Sequence, residues 1–269
     1  MLKTNFHTHT ARCGHASGTD EEYVLAAIKA GIKTLGFSDH TPYNVPEEGI
    51  RMPMDQYTDY VSSIRSLQEK YKDQITIYIG LEAEFYEDQW ETLRNYRNEL
   101  DYIILGQHRL SVQGLHSSRI TDGKDLMVYA DLIEGACRHG LCDYICHPDL
   151  VMYNYPRTDD SVRALAARLA DISLKYNMPM EINCGSGVIN KPRVYEDGVR
   201  PGYPQRVFFE EFARKKCPVI IGLDVHDPEW FLTDTYLNRA MAILEGLDLN
   251  LLTDFDLPAA AAERKKTFY

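Results

Sequence analysis

Seven of the nine histidines in this 269-residue chain stand beside predicted strand ends, and the first two open it as Asn5-Phe6-His7-Thr8-His9. Side chains on a strand alternate with period two, so His-x-His after a short apolar run puts both imidazoles on one face. The pattern returns as Gly222-Leu223-Asp224-Val225-His226, after the apolar run 218–221. Between them lie His15, Ser38-Asp39-His40, Gly80-Leu81-Glu82, Gly106-Gln107-His108 and Cys146-His147-Pro148. Imidazole with carboxylate suits zinc, manganese or iron. One zinc takes three or four protein ligands, so seven imidazoles with two carboxylates imply two or three divalent ions and a bridging carboxylate. Such clustered ions neutralise phosphoryl oxygens and lower the pKa of a bound water, which is the chemistry of a metal-dependent hydrolase. A histidine standing alone is more often a core or surface residue, and His116 and His139 are read that way. His139 suits a helix C-terminus, where partial positive charge is favourable.

The elements that must position these groups alternate along the chain. Short apolar runs near 2–6, 33–37, 75–81, 101–106, 143–146, 179–183 and 218–222 predict buried strands. Helical periodicity falls between them, near 20–30, 54–72, 87–99, 125–139, 160–177, 204–216 and 228–245. Thr19-Asp20-Glu21-Glu22 is a capping-type start, with Gly31 past the helix end, and Arg138-His139-Gly140 closes another helix in the same way. Strands separated by helices require a parallel sheet. An open doubly wound sheet would use few strand ends, whereas here every strand except the sixth, which offers Glu181 and Asn183, ends in a candidate ligand. That spread favours a closed α/β barrel formed by a single domain over residues 1–269. The long loops 41–53, 107–124, 148–159 and 184–203 all follow strands, where lids and substrate loops belong. The tail from Ala259 to Ala262, with Glu-Arg-Lys-Lys after it, is read as a frayed helix.

Composition excludes other classes. With 29 basic and 40 acidic side chains the net charge is −11, a poor match to a nucleic-acid backbone or an anionic membrane surface. No apolar run reaches the length of a membrane span, and the first motif follows Met1-Leu2-Lys3-Thr4 directly, so the expectation is no cleaved leader. Six cysteines without a CxxC pair point to reduced thiols and a cytoplasmic setting.

His7-Thr8-His9, Cys13-Gly14-His15 and Phe37-Ser38-Asp39-His40-Thr41-Pro42 resemble the opening of the PHP (polymerase and histidinol phosphatase) superfamily. Gly80-Leu81-Glu82, His108, Cys146-His147-Pro148-Asp149 and Gly222-Leu223-Asp224-Val225-His226 are similar to its remaining motifs, in the same order. The resemblance runs from residue 5 to residue 228, and the Ser-Asp-His-Thr-Pro string looks most like the stand-alone histidinol-phosphate phosphatase branch. It implies a distorted (β/α)7 TIM-like barrel and a centre of three divalent transition-metal ions. His7, His9, Glu82 and Asp224 would hold the first; Glu82 would bridge to a second with His108 and His147; His15, His40 and His226 would hold the third. Glu84, two residues on and so on the same face as Glu82, is the competing bridge. The resemblance favours Glu82, which follows Gly80-Leu81. Two features depart from the branch: Leu223 stands where a small residue is usual, and the loop 184–205 is longer.

The implied activity is a metal-dependent phosphomonoesterase acting on a small phosphorylated substrate, L-histidinol phosphate, by attack of a metal-bridging hydroxide. Arg157 and Arg193, in the loops after the fifth and sixth strands, are candidate phosphate ligands, with Arg12, Arg109 and Arg200 also in active-face segments. Glu181 and Asn183 are candidates for the leaving group, and Asp224 and His226 for moving a proton to it. The rivals are a PHP-type phosphatase or phosphodiesterase acting on nucleotides or other small esters, and a metal-dependent amidohydrolase. The latter lacks an obvious metal-bridging lysine and leaves His15, His40 and His226 surplus. A non-enzymatic metal-binding regulator would not need an open multinuclear cleft.

Overall fold

A computed structural model describes residues 2–43 and 49–268; residues 44–48, within the predicted 41–53 loop, lie outside the described part. Its strands are β1 (Thr4–Asn5), β2 (Thr34–His40), β3 (Thr76–Ala83), β4 (Tyr102–Leu105), β5 (Tyr144–Ile145), β6 (Met180–Asn183), β7 (Arg193–Tyr195), β8 (Gly198–Arg200), β9 (Pro218–Gly222) and β10 (Asn250–Leu251). The helices are α1 (Asp20–Lys29), α2 (Tyr57–Tyr71), α3 (Trp90–Glu99), α4 (Gly123–Arg138), α5 (Asp160–Tyr176), α6 (Ser186–Ile189), α7 (Arg206–Lys215), α8 (Thr235–Ile243) and α9 (Leu257–Phe268). All seven expected strands are present as β1–β6 and β9. With β10 they form one eight-stranded parallel sheet in the order β1-β2-β3-β4-β5-β6-β9-β10.

Local chemistry sets the helix ends. Thr19 and Glu22 form a reciprocal capping box at the start of α1, each side chain accepting the other's backbone N–H (3.3 and 2.7 Å). His139 caps α4, with its ring 5.2 Å from that of Trp90 and 5.8 Å from that of Phe85, which confirms a structural role.

The barrel closes unevenly. At its carboxyl-terminal rim the chain after β1 meets the chain after β9. There Thr8 and Val225 bridge in parallel, with His9 N–H donating to Val225 O at 2.9 Å and Val225 N–H to His7 O at 3.1 Å. The side-chain carbonyl of Asn5 accepts Leu223 N–H at 2.9 Å across the same seam. Lower down, β9 pairs instead with the two-residue β10. The sequence does not predict this eighth strand, because two residues carry too little apolar patterning to be read. The barrel expectation is met in this curled, distorted form.

Two layers of core result. Helices cover the outside of the sheet with aliphatic and aromatic side chains. Inside, Phe6, Tyr102, Ile104, Tyr144, Cys146 and Ile220 fill the lower barrel, and Leu257 and Ala261 of α9 plug its base. The tail is therefore no frayed end: α9 is docked, with Lys265 donating to Leu100 O and Arg264 Nε 3.5 Å from Asp143 Oδ1. Its apolar stripe is too sparse to be recognised without the hole that it fills. The 184–205 loop also has structure, α6 and the antiparallel hairpin β7–β8. No described helix is long and apolar enough to cross a membrane.

Candidate metal centre

The upper half of the barrel holds polar groups where the lower half holds rings. Six of the nine candidate ligands come from the ends of β2 and β3 and from the segments after β1, β4 and β5. His15 follows a short 3-10 turn (Ala11–Cys13), and Asp224 and His226 follow β9. They converge on a cavity of about 470 Å³ whose lining includes His15, His40, Glu82, His108, His147, Asp224 and His226. His7 and His9 are fully buried beside Glu82 and Asp224.

Glu82 is the hub. Its Oε2 lies 3.5 Å from His7 Nε2 and 3.4 Å from His9 Nε2, while its Oε1 lies 2.8 Å from His147 Nε2 and 3.4 Å from His108 Nε2. Asp224 Oδ1 completes the first set, 3.4 Å from His7 Nε2 and 3.3 Å from His9 Nε2. Ligand atoms bound at about 2.0–2.1 Å around a tetrahedral ion stand roughly 3.3 Å apart, which these spacings match. Gly106 makes room for the hub: a Cβ there would come within 1.9 Å of Glu82 Oε1.

Several of these atoms are buried without a hydrogen-bond partner, namely His7 Nε2, both ring nitrogens of His9, and His147 Nδ1. Orphaned buried donors and acceptors are costly unless something else satisfies them. At the rim, His15 Nδ1 lies 3.1 Å from Cys13 O and His226 Nδ1 3.2 Å from Asp224 O. A carbonyl can only accept, so each Nδ1 carries the proton and each Nε2 presents a lone pair. Those two Nε2 atoms face one another at 3.0 Å, with His40 completing the group, an arrangement that calls for a cation between them.

Electrostatics reinforce this. Burial opposes ionisation of Glu82, yet His108, His40 and His7 hold it well below the usual carboxylate range. Burial likewise opposes charge on Asp224, and His7, His9 and His226 outweigh it. Burial would lower His9, but the nearby carboxylates of Asp224, Asp39 and Glu82 raise it to about 9. Burial and the charge of His9 push His226 down to about 3. Ionised carboxylates beside neutral rings are a donor set for divalent ions, and the protons on the inner histidines stand where such ions would sit.

Behind the ligands, Glu181 accepts from His7 Nδ1 at 2.8 Å and from His147 N–H at 3.0 Å, and Asn183 donates to Glu181 at 2.8 Å. Both are buried and absent from the cavity lining; Glu181 holds His7 and His147, and Asn183 holds Glu181. Glu84 accepts from both Nη atoms of Arg51 (2.8 and 3.3 Å) and lies 3.4 Å from His108 Nδ1, a supporting position that leaves the hub to Glu82. The strand-ending Asp224 (φ 50°) and His147 (φ 30°) have left-handed backbones, strain of the kind held at functional sites.

Arg157 and Arg193 do not line the cavity. Arg157 pairs with Glu196 at 2.6 Å on the surface, and Arg193 donates to Tyr153 O and Asn154 Oδ1 and covers the Tyr153 ring at 4.8 Å. Arg12 pairs with Asp20 and Asp59, and Arg200 donates to Met152 O and Tyr155 O. Loop position alone cannot tell which guanidinium faces inward. The arginines lining the cavity are Arg51, Arg109 and Arg119, joined by His116, Ser118, Tyr153, Ser186 and Tyr203. Sequence reasoning also misses Cys146. The left-handed backbone at His147 breaks strand alternation, so the adjacent Cys146 and His147 both reach Glu82 Oε1, with Sγ at 3.2 Å.

Comparison with known proteins agrees with this geometry. The family described as "PHP domain" matches residues 5–185, the segment that carries His7, His9, His15, His40, Glu82, His108 and His147. A probable histidinol-phosphatase of Deinococcus radiodurans is 31% identical over 235 residues, 82% of this chain and 85% of the relative. The histidinol-phosphatase of Bacillus subtilis is 31% identical over 259 residues, 84% of this chain and 94% of the relative. In fold, the chain is similar to a histidinol phosphate phosphatase from Lactococcus lactis, whose structure contains zinc, L-histidinol and phosphate. The TM-score is 0.68 at 15% identity, covering 96% of this chain and 98% of that one. With the family match spanning more than half of its length, this chain belongs to the PHP domain family.

Proposed function

We propose that the chain is a metal-dependent phosphomonoesterase that hydrolyses L-histidinol phosphate to L-histidinol and phosphate. The observation that carries the metal chemistry is the divided environment of Glu82, one oxygen toward His7 and His9 and the other toward His108 and His147. His7, His9, Glu82 and Asp224 would hold one ion, Glu82, His108 and His147 a second, and His15, His40 and His226 a third. Zinc is the ion in the Lactococcus lactis structure, and manganese or iron would suit the same donors. When bound, such ions neutralise phosphoryl oxygens and activate water at neutral pH. The substrate identity is supported by the relatives named histidinol-phosphatase.

The residues of the chain supply the rest. Glu181 holds the His7 ring with Nε2 directed at Glu82 and Asp224, and Glu84 steadies His108. His226 has both ring nitrogens engaged, whereas Asp224 Oδ2 has no hydrogen-bond partner among the described residues. That oxygen is therefore the one placed to take a proton from the attacking water and pass it to the leaving alkoxide. Beyond the ligands, Tyr153, Tyr203, Leu150 and Ser186 offer the leaving group two rings, an aliphatic wall and a hydroxyl. An imidazole-bearing group fits such a wall, and polar groups left unpaired by a smaller leaving group would penalise it. Six buried, unpaired thiols agree with a reducing cytoplasmic setting.

The test is a side-by-side panel of L-histidinol phosphate, mononucleotides, sugar phosphates and phosphodiesters, with metal analysis of the same protein. The expected result is highest kcat/KM on L-histidinol phosphate, two to three metal equivalents, and loss of all hydrolysis on chelation. A nucleotide or a diester leading the panel would overturn the substrate, and activity surviving complete chelation would overturn the mechanism.

A further inference from the structure

Three arginines line the cavity, and their engagements differ. Arg51 is held by Glu84 and by Thr41 O, at 2.8 to 3.3 Å. Arg109 donates through Nη1 to Gly114 O at 2.9 Å. The guanidinium of Arg119 makes no hydrogen bond or ion pair with any described residue. A guanidinium carries five N–H donors in a planar fork matched to two oxygens of a phosphate. Arg119 is exposed in the lining of the cavity, so this fork is open to an incoming ligand.

Its backbone is anchored. Arg109 and His116 form an antiparallel bridge, and Leu110 N–H donates to Leu115 O at 3.0 Å. Buried Ser117 donates through N–H to His108 O and through Oγ to Gln107 O, both at 2.6 Å. Arg119 N–H closes a 3-10 turn on His116 O at 2.8 Å, and Asn154 Nδ2 ties Ser118 O at 2.6 Å. The loop thus continues rigidly from the metal-site residue His108.

His116 adds a second donor. Its Nδ1 accepts the backbone N–H of Ser118 at 3.2 Å, with Ser118 Oγ at 2.8 Å. In a neutral ring the proton then lies on Nε2, which has no partner among the described residues. The ring lines the cavity, 6.0 Å between centroids from the ring of His108.

We propose that Arg119 and the Nε2–H of His116 form a metal-independent clamp for the terminal oxygens of a phosphate monoester, approaching them from the loop after β4. This rests on the phosphatase reading above and names protein groups that neither the sequence motifs nor the metal ligands contain. A phosphoryl group has three terminal oxygens, and those turned away from the ions need donors that keep the ester in register for displacement.

The experiment uses the metal-loaded full-length protein with inorganic phosphate as the probe, its binding followed by calorimetry alongside steady-state hydrolysis of a generic aryl phosphate. Removing a charge-assisted hydrogen bond to a bound phosphate weakens binding by about tenfold or more. Arg119→Ala is expected to weaken phosphate binding and raise KM by about that factor, with metal content unchanged. Arg119→Lys should recover part of the loss, and His116→Ala should weaken binding by roughly threefold, as a neutral donor does. Phosphate binding by Arg119→Ala within twofold of the parent would overturn the clamp, whatever the metals do. Absence of hydrolysis by the parent would overturn the phosphatase reading instead, and phosphate binding would still judge the clamp.

Discussion

At the amino-terminal end of the barrel, Arg97 and Asp143 are both fully buried and meet through a two-point ion pair. Ile103 N–H adds a hydrogen bond to the carboxylate, and α9 lies across the opening. At the carboxyl-terminal end, Glu82 and Asp224 are also buried, yet they line a cavity and face histidines several of whose nitrogens stay unpartnered. In the lower pair the two charges match within the protein, with Arg97 Nε alone left without a hydrogen-bond partner: removing charge from water is offset by the two-point geometry, and the base is sealed. The upper cluster is incomplete by construction, with excess donor atoms and strained backbone at His147 and Asp224. Buried charge is thus structural where the chain supplies both partners and functional where it withholds one.

The sharpest way to break this comparison is to disable the hub. Glu82→Gln should remove the bridging carboxylate, reduce bound metal by one equivalent or more, and lower kcat/KM by at least about a thousandfold, as loss of a central charge-stabilising group does. Elemental analysis with steady-state kinetics checks it, and full metal occupancy would contradict the bridge. At the other end, Asp143→Ala leaves Arg97 buried without its partner and should cost about 3–5 kcal/mol of stability. Metal content and KM, measured well below the lowered Tm, should match the parent. If that substitution changed metal content instead, the two ends would not be independent. A smaller effect separates a ligand from its support: Glu181→Gln should weaken metal affinity by about 10–100-fold, the usual loss when an orienting partner is changed, while the fully loaded enzyme keeps most of its kcat. Competition against a chelator of known affinity reads it.

Much of this is legible from residue order. His7 and His9 share a face because strands alternate, and seven apolar runs spaced by helices could only make a parallel sheet. What escapes is whatever depends on partners distant in sequence. Glu181 and Asn183 look like substrate contacts from the strand end they occupy, but His7, 174 residues away, takes Glu181. Arg157 and Arg193 sit in suitable loops, yet Glu196, Tyr153 and Asn154 engage them outside the cavity, while Arg119 faces it unpaired.

The sequence by itself determined the element order, the parallel sheet and the set of candidate metal ligands, because periodicity and ligand chemistry are local properties of the chain. The tertiary structure decided which oxygen of Glu82 meets which imidazoles, which of Glu82 and Glu84 Arg51 engages, that Cys146 reaches the hub, and that α9 closes the base. Those outcomes are distances between segments far apart in the chain. Packing sets them, and no short-range pattern encodes them.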